Sequence, residues 1–307
     1  MISKITMLYI EFTKKCNSRC ITCSYWKTQI EDRIIQENDI IAFIQNLPDL
    51  EVILFTGGEA MLYESELFEL AEKIRNLFPN IDLRLLTNGL KIGKYVDEIC
   101  TLFDVVVFSF DGSNAITYEK IRGIDAFELV TSAVKKVHLK GTKIRFRCMI
   151  LEINANELFE IVKLAFDLGV NQISFLPVDS SSETGFGRNN GIGENYQIKS
   201  TELVINELKK ILNVQEWQET GLLPKNGQNI KEMISFFTGT LRQSICNAPD
   251  SSIVLEMNGN VKGCFFRPSI GNICNSPIDL ILTSSKFVCE KNNGKHRCLP
   301  ECRDCIL

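Results

Sequence analysis

Six short apolar runs, most of them followed by an amphipathic stretch, set the limits on what this chain can fold into. The runs cover residues 5–12, 52–56, 83–87, 105–110, 144–150 and 173–178; helical patterns fall between them near 38–47, 65–77, 92–101, 126–140 and 156–168. Strands separated by helices pair in parallel, because a parallel neighbour is reached only through a crossover. Six such units are too few to close an eight-fold barrel, so the expected class is α/β, a partial (β/α)6 barrel. Along the fifth run Ile144, Phe146, Cys148 and Ile150 alternate with Arg145, Arg147 and Met149. The apolar set belongs under helices, which makes Cys148 a core residue and turns Arg147 toward the interior, where a guanidinium needs an anion.

The remainder of the chain changes character. Residues 179–197, rich in Ser, Gly and Asn, form a long connection placed to fold over a substrate mouth, and helical patterns follow near 201–213 and 228–243. Beyond them Asn258-Gly259 turns a hairpin between strand patterns at 252–257 and 260–265. The expected division is therefore a barrel over 1–200, a helical connection over 201–243 and a small cysteine-rich hairpin and helix domain over 244–307.

Cysteine usage carries the chemistry. The chain has 12 Cys and only 2 His, with no secretory h-region, which argues for metal ligation over disulfides and against a histidine-based triad. Directly after the first strand, Cys16, Cys20 and Cys23 are spaced C-x3-C-x2-C. Three thiolates this close can wrap one face of an iron-sulfur cube. Zinc in a structural site wants a fourth ligand nearby, and no Cys or His follows until Cys100. The net charge of −4 with interspersed signs leaves no basic stripe for nucleic acid. No run of about eighteen apolar residues suits a membrane, so a cytoplasmic protein is expected.

C-x3-C-x2-C on the loop after the first strand of an α/β chain resembles the cluster loop of the radical SAM enzymes, whose fold is a TIM-like partial barrel. The resemblance implies that Cys16, Cys20 and Cys23 hold a [4Fe-4S] cluster whose open iron chelates S-adenosyl-L-methionine. An electron from an external one-electron reductant of flavodoxin or ferredoxin type then yields a 5′-deoxyadenosyl radical that abstracts a substrate hydrogen. Further motifs fit at the strand ends. Gly57-Gly58-Glu59 after the second strand looks like the family's GGE, which meets the cofactor amino group. Asn88, ending the third strand, either borders the cofactor or caps the next helix through an Asx turn. Ser109 and Asp111 share one face in a segment similar to S-x-D-G, which borders the ribose and methionine parts. Arg122, in a stretch that resembles another recurring segment, either approaches a carboxylate or is a solvated helix-end residue. Arg147 suits the cofactor carboxylate or an acidic substrate group, and Leu176 the adenine floor. Thr22 departs from the family's aromatic or bulky residue before the third cysteine, so Tyr25, or Trp26 beside it, is expected to take that contact.

The late cysteines resemble the SPASM and twitch extensions, in which a cysteine before the hairpin, a G-x4-C segment and a late pair hold an auxiliary [4Fe-4S] cluster. Gly271-Asn272-Ile273 matches as well. The full SPASM run C-x2-C-x5-C-x3-C is absent, so the shorter twitch form is expected, with Cys246, Cys264, Cys302 and Cys305 as ligands and Cys298 as a substitute for one of them. Four thiolates are also compatible with a zinc ribbon. Cys274 and Cys289 have no assignment, and no general base can be picked. The implied activity is net oxidation, a dehydrogenation or crosslink, of a ribosomal peptide or of a sugar or aminocyclitol intermediate. The chain begins at its first strand, leaving no room for a leader-binding domain ahead of it, which counts against the peptide. The alternatives are redox-neutral epimerisation with a Cys hydrogen donor, and a non-catalytic iron-sulfur or zinc scaffold.

Overall fold

Every residue of the first strand, β1 (Met7–Glu11), is buried, as a strand with parallel partners on both sides should be. The structure, a computed structural model, describes residues 4–28, 33–178, 198–240, 251–265 and 268–288. Cys246, Cys289, Cys298, Cys302, Cys305 and the 179–197 connection lie outside the described residues. Contacts divide the chain into two units: Met1–Asn17 with Tyr25–Leu86 and Gln243–Leu307, and Ser18–Ser24 with Thr87–Arg242.

In the first unit β1 is followed by the short helix α1 (Tyr25–Thr28), α2 (Glu37–Gln45), β2 (Val52–Thr56), α3 (Glu64–Leu77) and β3 (Asp82–Thr87). The helix α2 starts where the reading placed it, because Gln36 and Asp39 form a capping box that satisfies free amides, and Ile40, Ile41, Phe43 and Ile44 give it a buried face. The hairpin forms as expected, β7 (Ser252–Glu256) turning through Gly259 at φ +86° into β8 (Asn260–Lys262), and a two-residue strand β9 (Gly271–Asn272) joins β8. What the sequence did not announce is that β7 pairs with β1 in parallel, Leu8 opposite Ile253 and Glu11 opposite Glu256. A short helix Ile278–Thr283 closes the described part.

The second unit repeats the β/α theme with α4 (Val96–Leu102), β4 (Val105–Ser109), α5 (Ala115–Arg122), α6 (Phe127–Leu139), β5 (Lys143–Ile150), α7 (Leu158–Asp167) and β6 (Gln172–Pro177), the strands all parallel. Burial alternates along β5 as read, with Cys148 fully buried and Arg147 half-buried. Phe110 stacks on Phe146 with centroids 4.5 Å apart, the centre of this unit's core. Three further helices, α8 (Thr201–Leu212), α9 (Gln215–Glu219) and α10 (Pro224–Phe237), complete it. In α10, buried Asn229 accepts from Phe175 N at 2.8 Å and donates to Phe175 O at 3.0 Å, occupying the free edge of β6. With Asn229 on that edge, β6 ends its side of the sheet among the described residues, and the six β/α units are the expected partial-barrel class. Among the described residues no helix is long and apolar enough to cross a membrane.

Candidate functional site

The cluster loop that follows β1 is anchored by backbone hydrogen bonds within each unit. In the first unit Gly58 N donates to Thr13 O at 2.6 Å and Glu59 N to Lys15 O at 2.9 Å, extending the β1–β2 pairing toward Cys16. Only glycine permits this approach: a Cβ on Gly57 would lie 2.3 Å from Thr13 O, and one on Gly58 2.1 Å from Lys15 O. The two glycines therefore bring the loop to the cysteine segment itself, a closer neighbour than the ligand for which their freedom was read. Glu59 is buried, and its Oε1 accepts from Met61 N at 3.2 Å, capping the 3-10 turn Ala60–Tyr63. Tyr25, at the start of α1, donates its hydroxyl to Glu11.

In the second unit the segment Ser18–Ser24 is pinned to the end of α5. The last carbonyls of a helix have no partner within it. Here those of Arg122 and Ile121 accept from Arg19 N at 3.1 Å and Ile21 N at 3.0 Å, the two amides flanking Cys20. Gly123 ends the helix at φ +68° and touches Arg19, where a Cβ would meet Arg19 O at 2.3 Å. Asn88, buried, makes the turn that was one of the two readings offered for it and also holds the cluster loop. Its Oδ1 accepts from Leu90 N at 3.1 Å in an Asx turn, and its Nδ2 donates to Ser18 Oγ at 3.0 Å, reaching the cluster loop.

Arg122 meets a carboxylate, and that carboxylate is Asp111, 3.1 Å away. The other Asp111 oxygen accepts from Met149 N at 2.7 Å, so this acid ties the end of β4 to β5 while orienting the guanidinium. Arg122 is nearly enclosed, and burial works against its charge, but Cys20, Asp111 and Tyr118 around it raise its pKa above the ordinary value. Burial pushes the neighbouring Tyr118 phenol up to about 12. The Arg122 charge is thus felt in the segment that carries Cys20. Ser109 and Arg147 are register neighbours on β4 and β5, and Leu176 pairs in register with Met149 on β6, so these three line the strand ends as expected.

The donor set fits an iron-sulfur cluster. None of Cys16, Cys20, Cys23 and Cys264 is in a disulfide. Among the described residues no three His, Cys, Asp or Glu converge tightly enough to hold a single metal ion. A cube places each thiolate on a different iron and needs no such convergence. Residues 10–175 match the Radical SAM superfamily. The chain belongs to that superfamily. Residues 246–306 match SPASM, an iron-sulfur cluster-binding domain, so a radical SAM enzyme with an S-adenosylmethionine-binding [4Fe-4S] cluster and an auxiliary iron-sulfur cluster is the coarse assignment. A protein named "Probable GTP 3′,8-cyclase" from Saccharolobus islandicus is 26% identical over 268 residues, 85% of this chain and 82% of that one. Among solved structures, Streptococcus suis SuiB bound to precursor peptide SuiA matches with TM-score 0.68 at 15% identity, over 94% of this chain and 66% of SuiB. Native anSMEcpe with bound AdoMet matches with TM-score 0.68 at 20% identity, over 95% and 82%. These two share the fold of this radical SAM chain.

Sequence reasoning passed over a second set of polar residues. Glu11 and Glu256 each end a mainly apolar, wholly buried strand, and both residues are buried with it. A charged residue closing an apolar run just before a cysteine loop was the available signal.

Proposed function

We propose that this radical SAM enzyme carries out a net oxidation, a dehydrogenation or crosslink, on a peptide or a small natural-product intermediate such as a sugar or aminocyclitol. The observation that carries the reading is the second cysteine group within the region matching an iron-sulfur domain, since an auxiliary cluster is a ready acceptor for the electron left on an oxidised substrate. The likeness to SuiB, crystallised with a precursor peptide, supports the peptide member of the pair.

In this reading Cys16, Cys20 and Cys23 hold the first cluster and Cys246, Cys264, Cys302 and Cys305 the auxiliary one, over a barrel at 1–200, a helical connection at 201–243 and an auxiliary domain at 244–307. When bound, the first cluster and S-adenosylmethionine supply reductive cleavage of the sulfonium and hydrogen abstraction from the substrate. The chain's part is to bind and orient. The Gly57-Gly58-Glu59 turn, Asn88, Ser109, Arg147, Leu176 and Tyr25 frame the cofactor, and the Asp111–Arg122 pair fixes the wall beside Cys20. The second cluster and a one-electron protein reductant complete the redox balance.

Anaerobic reconstitution followed by dithionite and S-adenosylmethionine tests this directly. The expected result is 5′-deoxyadenosine, about eight irons per chain, and, with substrate, a product two hydrogens lighter that gains no deuterium from heavy water. An inverted product carrying solvent deuterium would make the enzyme an epimerase. A second reading follows from the relatives named GTP 3′,8-cyclase. GTP belongs in the first substrate panel, and its consumption with 5′-deoxyadenosine release would replace the oxidation proposal.

A further inference from the structure

We propose that Glu11 and Glu256 form a proton-holding pair for the auxiliary cluster, so that an electron arriving at that cluster is matched by one proton taken from solvent onto the Glu11 carboxylate. The inference rests on the auxiliary cluster being held in part by Cys264. All of its geometry lies in the first unit.

The two carboxylates are register partners at the ends of adjacent parallel strands, β1 and β7, and both are buried. Their surroundings are unequal. Glu256 gathers the cations: Lys262 pairs with its Oε1, Lys14 lies 3.6 Å from its Oε2, and Asn260 Nδ2 donates to Oε2 at 3.3 Å. Glu11 has the Tyr25 hydroxyl, and its Oε1 has no hydrogen-bond partner. A buried carboxylate with one hydroxyl donor is a poorer place for a charge than one paired with two lysines, so the proton of the pair belongs on Glu11.

The same groups adjoin the cysteine segments along the chain. Lys262 stands two residues before Cys264, and Lys14 two before Cys16. Phe265, next to Cys264, packs edge-on against Tyr9 with centroids 5.3 Å apart. Tyr9 and Glu11 lie on one face of β1, so the Cys264 segment is seated against the face that carries the acid. Added negative charge at the cluster disfavours ionised Glu11 and favours uptake of a proton there. Burial first, then the Glu256 charge, already push Glu11 up to about 7 against the Tyr25 hydroxyl and the charges of Lys14 and Lys262. Reduction raises it further. The cluster's midpoint potential therefore falls as pH rises above about 7 and levels off at lower pH, where Glu11 is protonated in both redox states.

The test is an electron-paramagnetic-resonance redox titration of the reconstituted enzyme between pH 6 and 9, with dithionite as electron source. The auxiliary signal is identified in the variant lacking Cys16, Cys20 and Cys23. The expected result is a pH-dependent potential in the wild type, lost in Glu11→Gln and retained in Glu11→Asp, with unchanged iron content. A potential independent of pH in the wild type, or an unaltered slope in Glu11→Gln, overturns the proposal. A wild type holding only about four irons overturns it together with the auxiliary-cluster assignment, and the iron count tells that failure from the other two.

Discussion

Glu11 is the residue whose environment most departs from the ordinary, and its effect on stability has a definite sign. Its folded pKa of about 7 lies above the ordinary value of 4.5, so between those pH values the folded state binds more protons than the unfolded one. Stability from this group is then fully present below about pH 4.5 and is lost as pH rises to about 7, by roughly 3 kcal/mol in total. Glu11→Gln removes the titration. Urea unfolding of the apoprotein at pH 4.5 and at pH 8 should show the variant gaining about 3 kcal/mol on the wild type between the two conditions. An equal pH dependence in both proteins would mean that Glu11 is ionised with ease and that the pair holds no proton. Individual roles were partly legible in the sequence. Asn88 and Arg122 were each read with two options, and the structure shows the Asx turn for Asn88, which also reaches Ser18, and the carboxylate partner, Asp111, for an Arg122 that is enclosed and not solvated. Glu11 was lost among apolar neighbours because a strand pattern weighs periodicity and not the cost of a single enclosed acid.

At the scale of elements, the six parallel strands were legible because each is a short run that is either mainly apolar, as in residues 105–110, or apolar on alternate positions, as in residues 144–150. The hairpin was legible from Asn258-Gly259, whose glycine takes the positive φ that the turn requires. The parallel pairing of β7 with β1 was not, since it joins Met7 to Ser252 and leaves no trace in local pattern. Nor was β9, where Gly271-Asn272 has no strand propensity of its own. The helix α5 was noticed only as a motif, yet it does the most for the site, since its terminal carbonyls hold the amides on both sides of Cys20. Gly123→Ala tests that role. An alanine there must adopt φ +68° and place its Cβ 2.3 Å from Arg19 O, so the helix end and the loop cannot both keep their positions. The expected cost is about 2 kcal/mol of stability, seen as a lowered Tm, together with reduced iron at the first cluster and less 5′-deoxyadenosine. Normal iron loading with a normal Tm would show that the loop is held by its cysteines alone.

For the molecule as a whole, the decisive matter is whether two metal centres are built independently. The proposed ligand sets come from opposite ends of the sequence, and beyond the β1–β7 pairing and the Lys14–Glu256 ion pair each segment has anchors of its own. The first segment relies on Gly58 and Glu59 pairing with Thr13 and Lys15, and on Asn88 and the end of α5 for Ser18–Ser24. The segment around Cys264 relies on the hairpin, where Asn272 Nδ2 donates to Asn258 O at 3.0 Å and Ile273 N to Gly259 O at 2.9 Å, and on Phe265 against Tyr9. None of the hairpin contacts passes through a cysteine of the first loop. Replacing Cys16, Cys20 and Cys23 by Ala should therefore remove about four of about eight irons, abolish 5′-deoxyadenosine formation and leave the auxiliary signal in place. The complementary Cys264→Ala variant should keep cleavage of S-adenosylmethionine while losing the oxidised product. If the triple variant instead loses all its iron, assembly of the second centre depends on the first, and the electron-acceptor role would have to be argued from a single cooperative metal site.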